Sequence, residues 1–96
     1  MAVELTSSIH GPRLVLSGVV DVRQAGALRT AASRALQDAR PVHVDLSETT
    51  MLDTAAGQVL LALSRAAAAR GQSLSIVGAR PIVQRTCAGV GLESSV

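Results

Sequence analysis

Met51-Leu-Asp-Thr-Ala-Ala-Gly57 is the segment that decides the fold, because it joins a strand-like run to an apolar helix. The strand-like run is Val42-His-Val-Asp-Leu46, and Ser47-Glu-Thr-Thr50 connects it to this segment. The pattern predicts that Thr54 lies at a helix N-terminus, where the first amides have no intrahelical acceptor. The Thr54 hydroxyl would then cap the helix, and a phosphoryl group on it would meet several donors. Asp53 is the alternative capping residue.

Alternation and helical spacing predict the other elements. Strands are predicted over residues 3–9, 13–17, 42–46 and 73–77, and helices over residues 22–39, about 55–70 and from 81 onward. His10-Gly-Pro12 is typical of a hairpin turn, Asp21 of a helix cap, and Gly71 of a left-handed residue after a helix. The order β-β-α-β-α-β-α predicts one α/β domain over residues 1–96. Its mixed four-stranded sheet is expected to be parallel over the βαβ parts, with the helices packed on one side.

The core must be aliphatic, because Phe, Tyr and Trp are all absent. Helical spacing predicts these inward residues: Ala25, Leu28, Ala32 and Leu36 in the first helix, and Val59, Leu60 and Leu63 in the second. The lack of aromatic side chains also removes the platforms on which single-stranded bases stack. The nine basic residues are all arginine, are spread from Arg13 to Arg85, and leave a net charge of only +2. We therefore expect no direct binding of nucleic acid.

Cysteine usage and hydropathy point to the cytoplasm. Cys87 is the only cysteine, so no disulfide can form within the chain, which fits a reducing compartment. The start Met1-Ala-Val-Glu4 has neither a basic n-region nor a long apolar h-region, so we expect no signal peptide. Apolar runs such as residues 59–63 are far shorter than the ~20 residues that cross a bilayer. We expect a cytoplasmic protein without membrane insertion.

An enzyme is not expected. His10 lies in a predicted turn and His43 in a predicted strand, where each is more typical of a surface or satisfied side chain than of a base. No Cys/His group has metal-ligand spacing, no serine lies in a Gly-x-Ser-x-Gly context, and the glycines form no phosphate loop. Asp45 and Asp53 fit a solvated strand end and a helix cap better than an acid/base pair. We therefore expect no catalytic residue, no metal and no cofactor.

Several segments together resemble the STAS domain of bacterial anti-sigma-factor antagonists and their relatives. Leu16-Ser-Gly-Val-Val-Asp21 is similar to the family's Leu-x-Gly-x-Leu-Asp segment, and Leu52-Asp-Thr54 to its Asp-Ser/Thr phosphorylation motif. Further similar segments are Ala25 with Leu28-Arg29, Val44-Asp-Leu46, Arg70-Gly71, Pro81 and Val90-Gly-Leu92. The resemblance covers about residues 3–92 and implies the STAS-type arrangement of the predicted sheet. The family usually has Gly and Leu where this chain has Ala56 and Gly57.

The resemblance implies partner switching. The unmodified domain would bind a kinase-like anti-sigma factor and free a sigma factor, and phosphorylation of Thr54 by a serine/threonine kinase would end that binding. The domain itself would be a substrate rather than a catalyst. The expected partner-binding residues are Asp21, Arg23, Asp53, Thr54, Ala55, Gln58 and Arg65. Gln58 and Arg65 belong to this set because they lie outside the apolar stripe of the second helix.

Two other functions fit the same motif. In the first, the domain is the small STAS subunit of a lipid-transporting ABC system and binds the ATPase subunit through the Thr54 region, with Thr54 as a contact residue. In the second, it is a chemotaxis-linked or structural interaction module. The Asp53-Thr54 pair is compatible with all three functions. The Gly18-Val-Val-Asp21 segment favours the antagonist, because it retains the acidic residue that is typical of antagonists.

Overall fold

The elements of the structure follow the predicted order. The computed structural model describes residues 3–92, and residues 1–2 and 93–96 of the predicted domain lie outside them. The strands are β1 (Val3–Ser8), β2 (Gly11–Val20), β3 (Val42–Leu52) and β4 (Leu74–Val77). The helices are α1 (Ala25–Leu36), α2 (Thr54–Ala69) and α3 (Pro81–Gly89), and a short 3-10 helix, Val22–Gln24, precedes α1. The β-β-α-β-α-β-α prediction is confirmed.

The strands form one mixed sheet in the order β1-β2-β3-β4. β1 and β2 are antiparallel, and Ser8 pairs with Gly11 across a turn at Ile9 and His10. β2 and β3 are parallel, as are β3 and β4. A helix returns the chain to the same end of the sheet between the strands of each parallel pair. The predicted hairpin and the predicted parallel pairs are both confirmed.

One face of the sheet lies beneath the helices. Leu14, Val44 and Ile76 are paired neighbours across β2, β3 and β4, and all three are buried. The helices contribute these residues to the same core: Ala25, Leu28, Ala32 and Ala35 from α1, Ala56, Val59, Leu60 and Leu63 from α2, and Val83 and Cys87 from α3. The opposite face carries the Arg13–Asp45 ion pair, with 2.8 Å between Nη2 and Oδ2. The prediction that the helices pack on one side is confirmed.

Three sets of predicted boundaries are wrong. The second strand runs from Gly11 to Val20 rather than over residues 13–17, so Gly11 and Pro12 pair with β1 and do not belong to the turn. The third strand continues past Leu46 to Leu52, so residues 47–50 are strand rather than a connection. Its pairing with β2 contains two register shifts, and bulges of this kind break the alternation from which a strand is predicted. The first long helix ends at Leu36 rather than at residue 39. The Asp38 carboxylate accepts a hydrogen bond from the Arg40 N–H at 2.9 Å, and this local bond turns the chain towards β3.

Two glycines mark the two ends of α2. Gly71 follows the helix with a φ of 72°, the left-handed conformation that was predicted for it. Gly57 lies in the first turn, where α2 approaches the end of α3. A Cβ at Gly57 would lie 3.5 Å from both γ carbons of Val90 and 3.6 Å from Cγ2 of Thr86, which are ordinary van der Waals distances. The packing of α3 therefore leaves room for a Cβ, as in alanine, at this position.

Replacing Leu60 by alanine tests the orientation of α2. Leu60 is 1% exposed, so Leu60→Ala should lower the free energy of unfolding by about 2 to 5 kcal/mol. Urea denaturation followed by circular dichroism would measure the loss. Gln58→Ala, on the exposed side of the same helix, is the control and should change the free energy by less than about 0.5 kcal/mol. An equally small loss for Leu60→Ala would place Leu60 at the surface and contradict this packing.

Candidate functional site

The site predicted from the sequence lies where β2 and β3 end side by side. Val20 and Leu52, the last residues of these strands, are paired. The Asp53 N–H donates to the Val20 carbonyl oxygen, 3.1 Å away. The 3-10 helix and α2 therefore begin next to each other. Asp21 and Asp53, which precede these two helices, come to the same end of the sheet.

Asp53 links the two helix starts through its carboxylate. Its Oδ1 accepts a hydrogen bond from the Ala56 N–H at 2.8 Å, which caps α2. Its Oδ2 accepts a hydrogen bond from the Val22 N–H at 3.0 Å, at the first residue of the 3-10 helix. One side chain thus satisfies an amide in the first turn of each helix and fixes the separation between them.

Thr54 is the first residue of α2, and its side chain is exposed. Within residues 3–92, no hydrogen bond of its hydroxyl is found. The prediction that the Thr54 hydroxyl caps α2 is therefore wrong, and the alternative residue, Asp53, is the cap. The reason is geometric, because the capping residue precedes the first helical residue and has extended backbone angles. Asp53 has a φ of −85° and a ψ of 172°, whereas Thr54 is already helical.

Asp21 caps the 3-10 helix, as predicted. Its Oδ1 accepts from the Arg23 N–H at 2.9 Å, and the Gln24 Oε1 accepts from the Asp21 N–H at 2.9 Å, which completes a capping box. The Arg23 guanidinium also pairs with the carboxylate, with 2.9 Å between Nη2 and Oδ2. The hydrogen bonds from the Arg23 side chain, followed by that from its backbone, hold the pKa of Asp21 below its ordinary value. Asp21 is therefore a constant negative charge at neutral pH.

The structure brings most of the predicted partner-binding residues to this end of the sheet. Those at the two helix starts are Asp21, Arg23, Asp53, Thr54 and Ala55. Gln58 lies one turn further along α2 and is exposed. Arg65 is also exposed and lies on the same side of α2, about 10 Å beyond Gln58, since seven residues make nearly two turns. That these residues bind a partner stays a prediction.

Three exposed apolar side chains at this end of the sheet were not predicted from the sequence. Val19 and Met51, which are paired in β2 and β3, are 47% and 52% exposed, and Val22 is 65% exposed. We call these three residues the apolar rim. Two of them could have been found from the sequence, because Val19 and Met51 each stand directly before another apolar residue in a strand. Alternation sends one residue of each such pair away from the core.

Comparison with known proteins identifies the family. A family model described as "Mlab, STAS domain" matches residues 3–96. The chain belongs to the STAS domain family. No curated protein sequence matches it.

Solved structures share the STAS fold of this chain at low sequence identity. The anti-sigma factor antagonist SpoIIAA, in its unphosphorylated form, is 18% identical with a TM-score of 0.80, over 99% of this chain and 89% of SpoIIAA. A serine-to-glutamate variant of RsbS from Moorella thermoacetica is 18% identical with a TM-score of 0.73, over 97% of this chain and 80% of RsbS. The crystal structure of Mglu is 20% identical with a TM-score of 0.71, over 84% of this chain and 21% of that chain. At these identities the similarity shows the fold alone.

The reactive side chains of the STAS domain are dispersed. In the part of the chain that the structure describes, no three His, Cys, Asp or Glu side chains are grouped so that they could hold a metal ion. Cys87 is buried in α3, and burial raises the pKa of its thiol. His10 is exposed in the hairpin turn, and His43 is half-buried on β3. None of the helices between residues 3 and 92 is long and apolar enough to cross a membrane.

The two residues of the Asp53-Thr54 pair should respond differently to alanine substitution. Asp53→Ala removes the acceptor of the Ala56 and Val22 N–H groups together, so the free energy of unfolding should fall by about 1 to 3 kcal/mol. Thr54→Ala removes no hydrogen bond seen in the structure and should change it by less than about 0.5 kcal/mol. Urea denaturation of both variants would measure the difference. If Thr54→Ala were the more damaging substitution, the assignment of the cap would be wrong.

Proposed function

We propose that this STAS domain is an anti-sigma-factor-antagonist-like signalling protein. It binds its partner through the surface around Thr54 at the starts of the 3-10 helix and α2, and it is released when Thr54 is phosphorylated. The proposal is carried by the exposed Thr54, which stands at the start of α2 with no capping role, next to Asp53 and at the same end of the sheet as Asp21. The proposed partner is an anti-sigma factor or another serine/threonine kinase-like protein. The similar fold of the antagonist SpoIIAA supports this class of function.

The apolar rim supports binding of a protein at this surface. Val19, Val22 and Met51 expose apolar area in the free domain, and covering such area is favourable by about 25 cal/mol per Å². The polar groups at this end of the sheet, including Thr54, would fix the orientation of the partner. An apolar centre with a polar edge is the usual composition of a protein interface.

The local charges support release by phosphorylation. A phosphoryl group carries close to two negative charges near neutral pH. On Thr54 it would lie beside the carboxylate of Asp53, which already accepts two hydrogen bonds, and near that of Asp21. The Arg23 guanidinium is engaged by Asp21 and is not free to neutralise it. A partner would therefore have to desolvate a charge that no free cation of the described site neutralises.

The start of α2 is able to accept the modification without unfolding. The Ala56 N–H is bonded to the side chain of Asp53, and the Gly57 N–H to its carbonyl oxygen. Among the described residues, the N–H groups of Thr54 and Ala55 are the unpaired donors of this first turn. These two amides and the helix dipole would stabilise part of the added charge. Phosphorylation would thus change binding far more than stability.

A constitutive interface is the second candidate function. The same exposed Thr54 and apolar rim would suit a contact surface that is never modified, such as that of the small STAS subunit of a lipid-transport ABC system with its ATPase subunit. A chemotaxis-linked STAS interaction module would use the surface in the same way. These functions differ from the first in one observable respect, because partner binding would not depend on phosphorylation of Thr54.

Phosphorylation by a cognate serine/threonine kinase should occur at Thr54 and weaken partner binding. We expect at least a tenfold loss, or about 1.4 kcal/mol, in a binding titration of the phosphorylated domain. Thr54→Glu should reproduce only part of the loss, because it carries one charge and has a different reach. Thr50→Ala is the matched control, since Thr50 is an exposed threonine four residues earlier, and this variant should still be phosphorylated and released. Phosphate found only elsewhere, or unchanged binding after modification of Thr54, would favour the constitutive interface.

Substitutions on the exposed stripe of α2 should weaken partner binding without loss of stability. Gln58→Arg and Arg65→Glu each change the charge on this side of the helix, and a mismatched charge in an interface costs several kcal/mol. Both variants should reduce capture in a pull-down, with melting temperatures close to that of the unmodified sequence. Arg34→Glu, on the exposed side of α1, is the control and should bind normally. Unaltered capture by both α2 variants would move the interface to another part of the domain.

A further inference from the structure

A groove of about 530 Å³ runs between α1 and α2. It begins at Val22 and Ala55, in the predicted partner-binding site, and extends to Leu36 and Ala66 near the other ends of the two helices. Its length follows that of α1, which is about 18 Å or three turns. Many of the lining side chains are glycine, alanine or serine, and such small side chains allow a third helix to approach both walls closely.

Charge is distributed unevenly around this groove. The helices α1, α2 and α3 contain Arg29, Arg34, Arg65 and Arg85 and no acidic residue. The ion pairs found between residues 3 and 92 use Arg13, Arg23 and Arg40. Arg29 lines the groove, and it is not among the paired arginines. An occupant would therefore meet apolar walls and an uncompensated guanidinium.

We propose that this groove binds an amphipathic helix of a protein partner, with small apolar residues on its inner side and an acidic residue that pairs with Arg29. The apolar walls match the inner side of such a helix, and the carboxylate would form a charge-assisted, bidentate contact with the guanidinium. The proposal rests on the proposed function, because the groove opens at Val22 and Ala55, so the same partner would cover both surfaces.

The shape and charge of the groove disfavour two other occupants. A bilayer surface would require apolar side chains that project outward, whereas here the apolar residues Val59 and Leu63 line a concavity that also contains Arg29, Ser33 and Gln58. A second copy of the domain that docked through its helices would bring no carboxylate to the groove. These helices hold arginines and no acid, so they offer no complement to Arg29. A separate partner with acidic residues fits best.

Synthetic peptides test the proposal on the unphosphorylated domain. The probe is a fluorescently labelled helix of about 14 residues, with alanine and leucine at helical spacing on one side and glutamates flanking them. The matched peptide has lysine in place of each glutamate. The acidic peptide should shift the backbone amide resonances of residues 26–36 and 55–66 and raise the fluorescence anisotropy. The lysine peptide should bind at least about tenfold more weakly.

Two pairs of variants locate the binding to the groove. Arg29→Glu should lower the affinity for the acidic peptide by at least about tenfold. It should also reverse the preference between the two peptides, so that the lysine peptide binds more tightly than the acidic one. Arg34→Glu, on the same helix but outside the groove, should change either affinity by less than about twofold. Ala62→Met fills the groove and should weaken both peptides, whereas Ala68→Met, at another exposed alanine of α2, should not.

Several outcomes would overturn the proposal. One is the absence of resonance shifts along the groove when the acidic peptide is present at about 1 mM. At that concentration even a complex with a dissociation constant of about 0.1 mM would be mostly formed. Another is an equal loss in Arg29→Glu and Arg34→Glu, which would show general attraction between charges. A dimer that Ala62→Met dissociates would show a second copy in the groove, and binding of anionic vesicles that Ala62→Met abolishes would show a lipid surface. None of these results would contradict release of the partner by Thr54 phosphorylation, because that release is measured in a separate experiment with the kinase and the natural partner.

Discussion

The carboxylate of Asp53 is the constraint on which the arrangement of the Thr54 end of the domain depends. Its two oxygens hold the amides of Ala56 and Val22, which belong to different helices and are far apart in the chain. Hydrogen bonds to a charged acceptor are stronger than those between neutral groups, so the two helix starts are held firmly together. The strand ends beneath them are paired through Val20 and Leu52. The positions of Thr54 and of the apolar rim follow from this arrangement.

The absence of aromatic residues shapes the surface as well as the core. The buried positions of α1 and α2 include five alanines, and these small side chains let both helices lie close to the sheet. Alanine also occupies positions of α2 that line the groove facing α1, namely Ala55, Ala62 and Ala66. Among the described residues, these small side chains leave an open groove between the two helices. The composition that makes the core compact therefore also leaves the groove in which we propose that a partner binds.

The sequence predicts the elements whose apolar residues recur at a regular, local spacing. It does not predict the features that are determined by contacts between residues far apart in the chain. The strands, the helices and the inner stripes were predicted because their apolar residues recur at regular spacing. The end of β3 was not, because the spacing of its buried residues changes from two to three at the bulges. These buried residues are Val42, Val44, Leu46, Thr49 and Leu52. The cap of α2 was ambiguous because aspartate and threonine are both favoured there. The hydrogen bond from the Val22 N–H to the Asp53 carboxylate joins residues 31 positions apart, so it could not be predicted from the residues around Asp53.

The separation of the cap from the exposed Thr54 has a consequence for the proposed regulation. If Thr54 were the cap, a phosphoryl group on it would break a structural hydrogen bond, and binding and stability would change together. Asp53 performs the capping instead, so modification of Thr54 adds charge without removing a contact of the fold. Arg23 holds the pKa of Asp21 below its ordinary value, so Asp21, like any aspartate near neutral pH, is ionised there. A partner would then sense the state of Thr54 through charge alone, while the domain remains folded in both states.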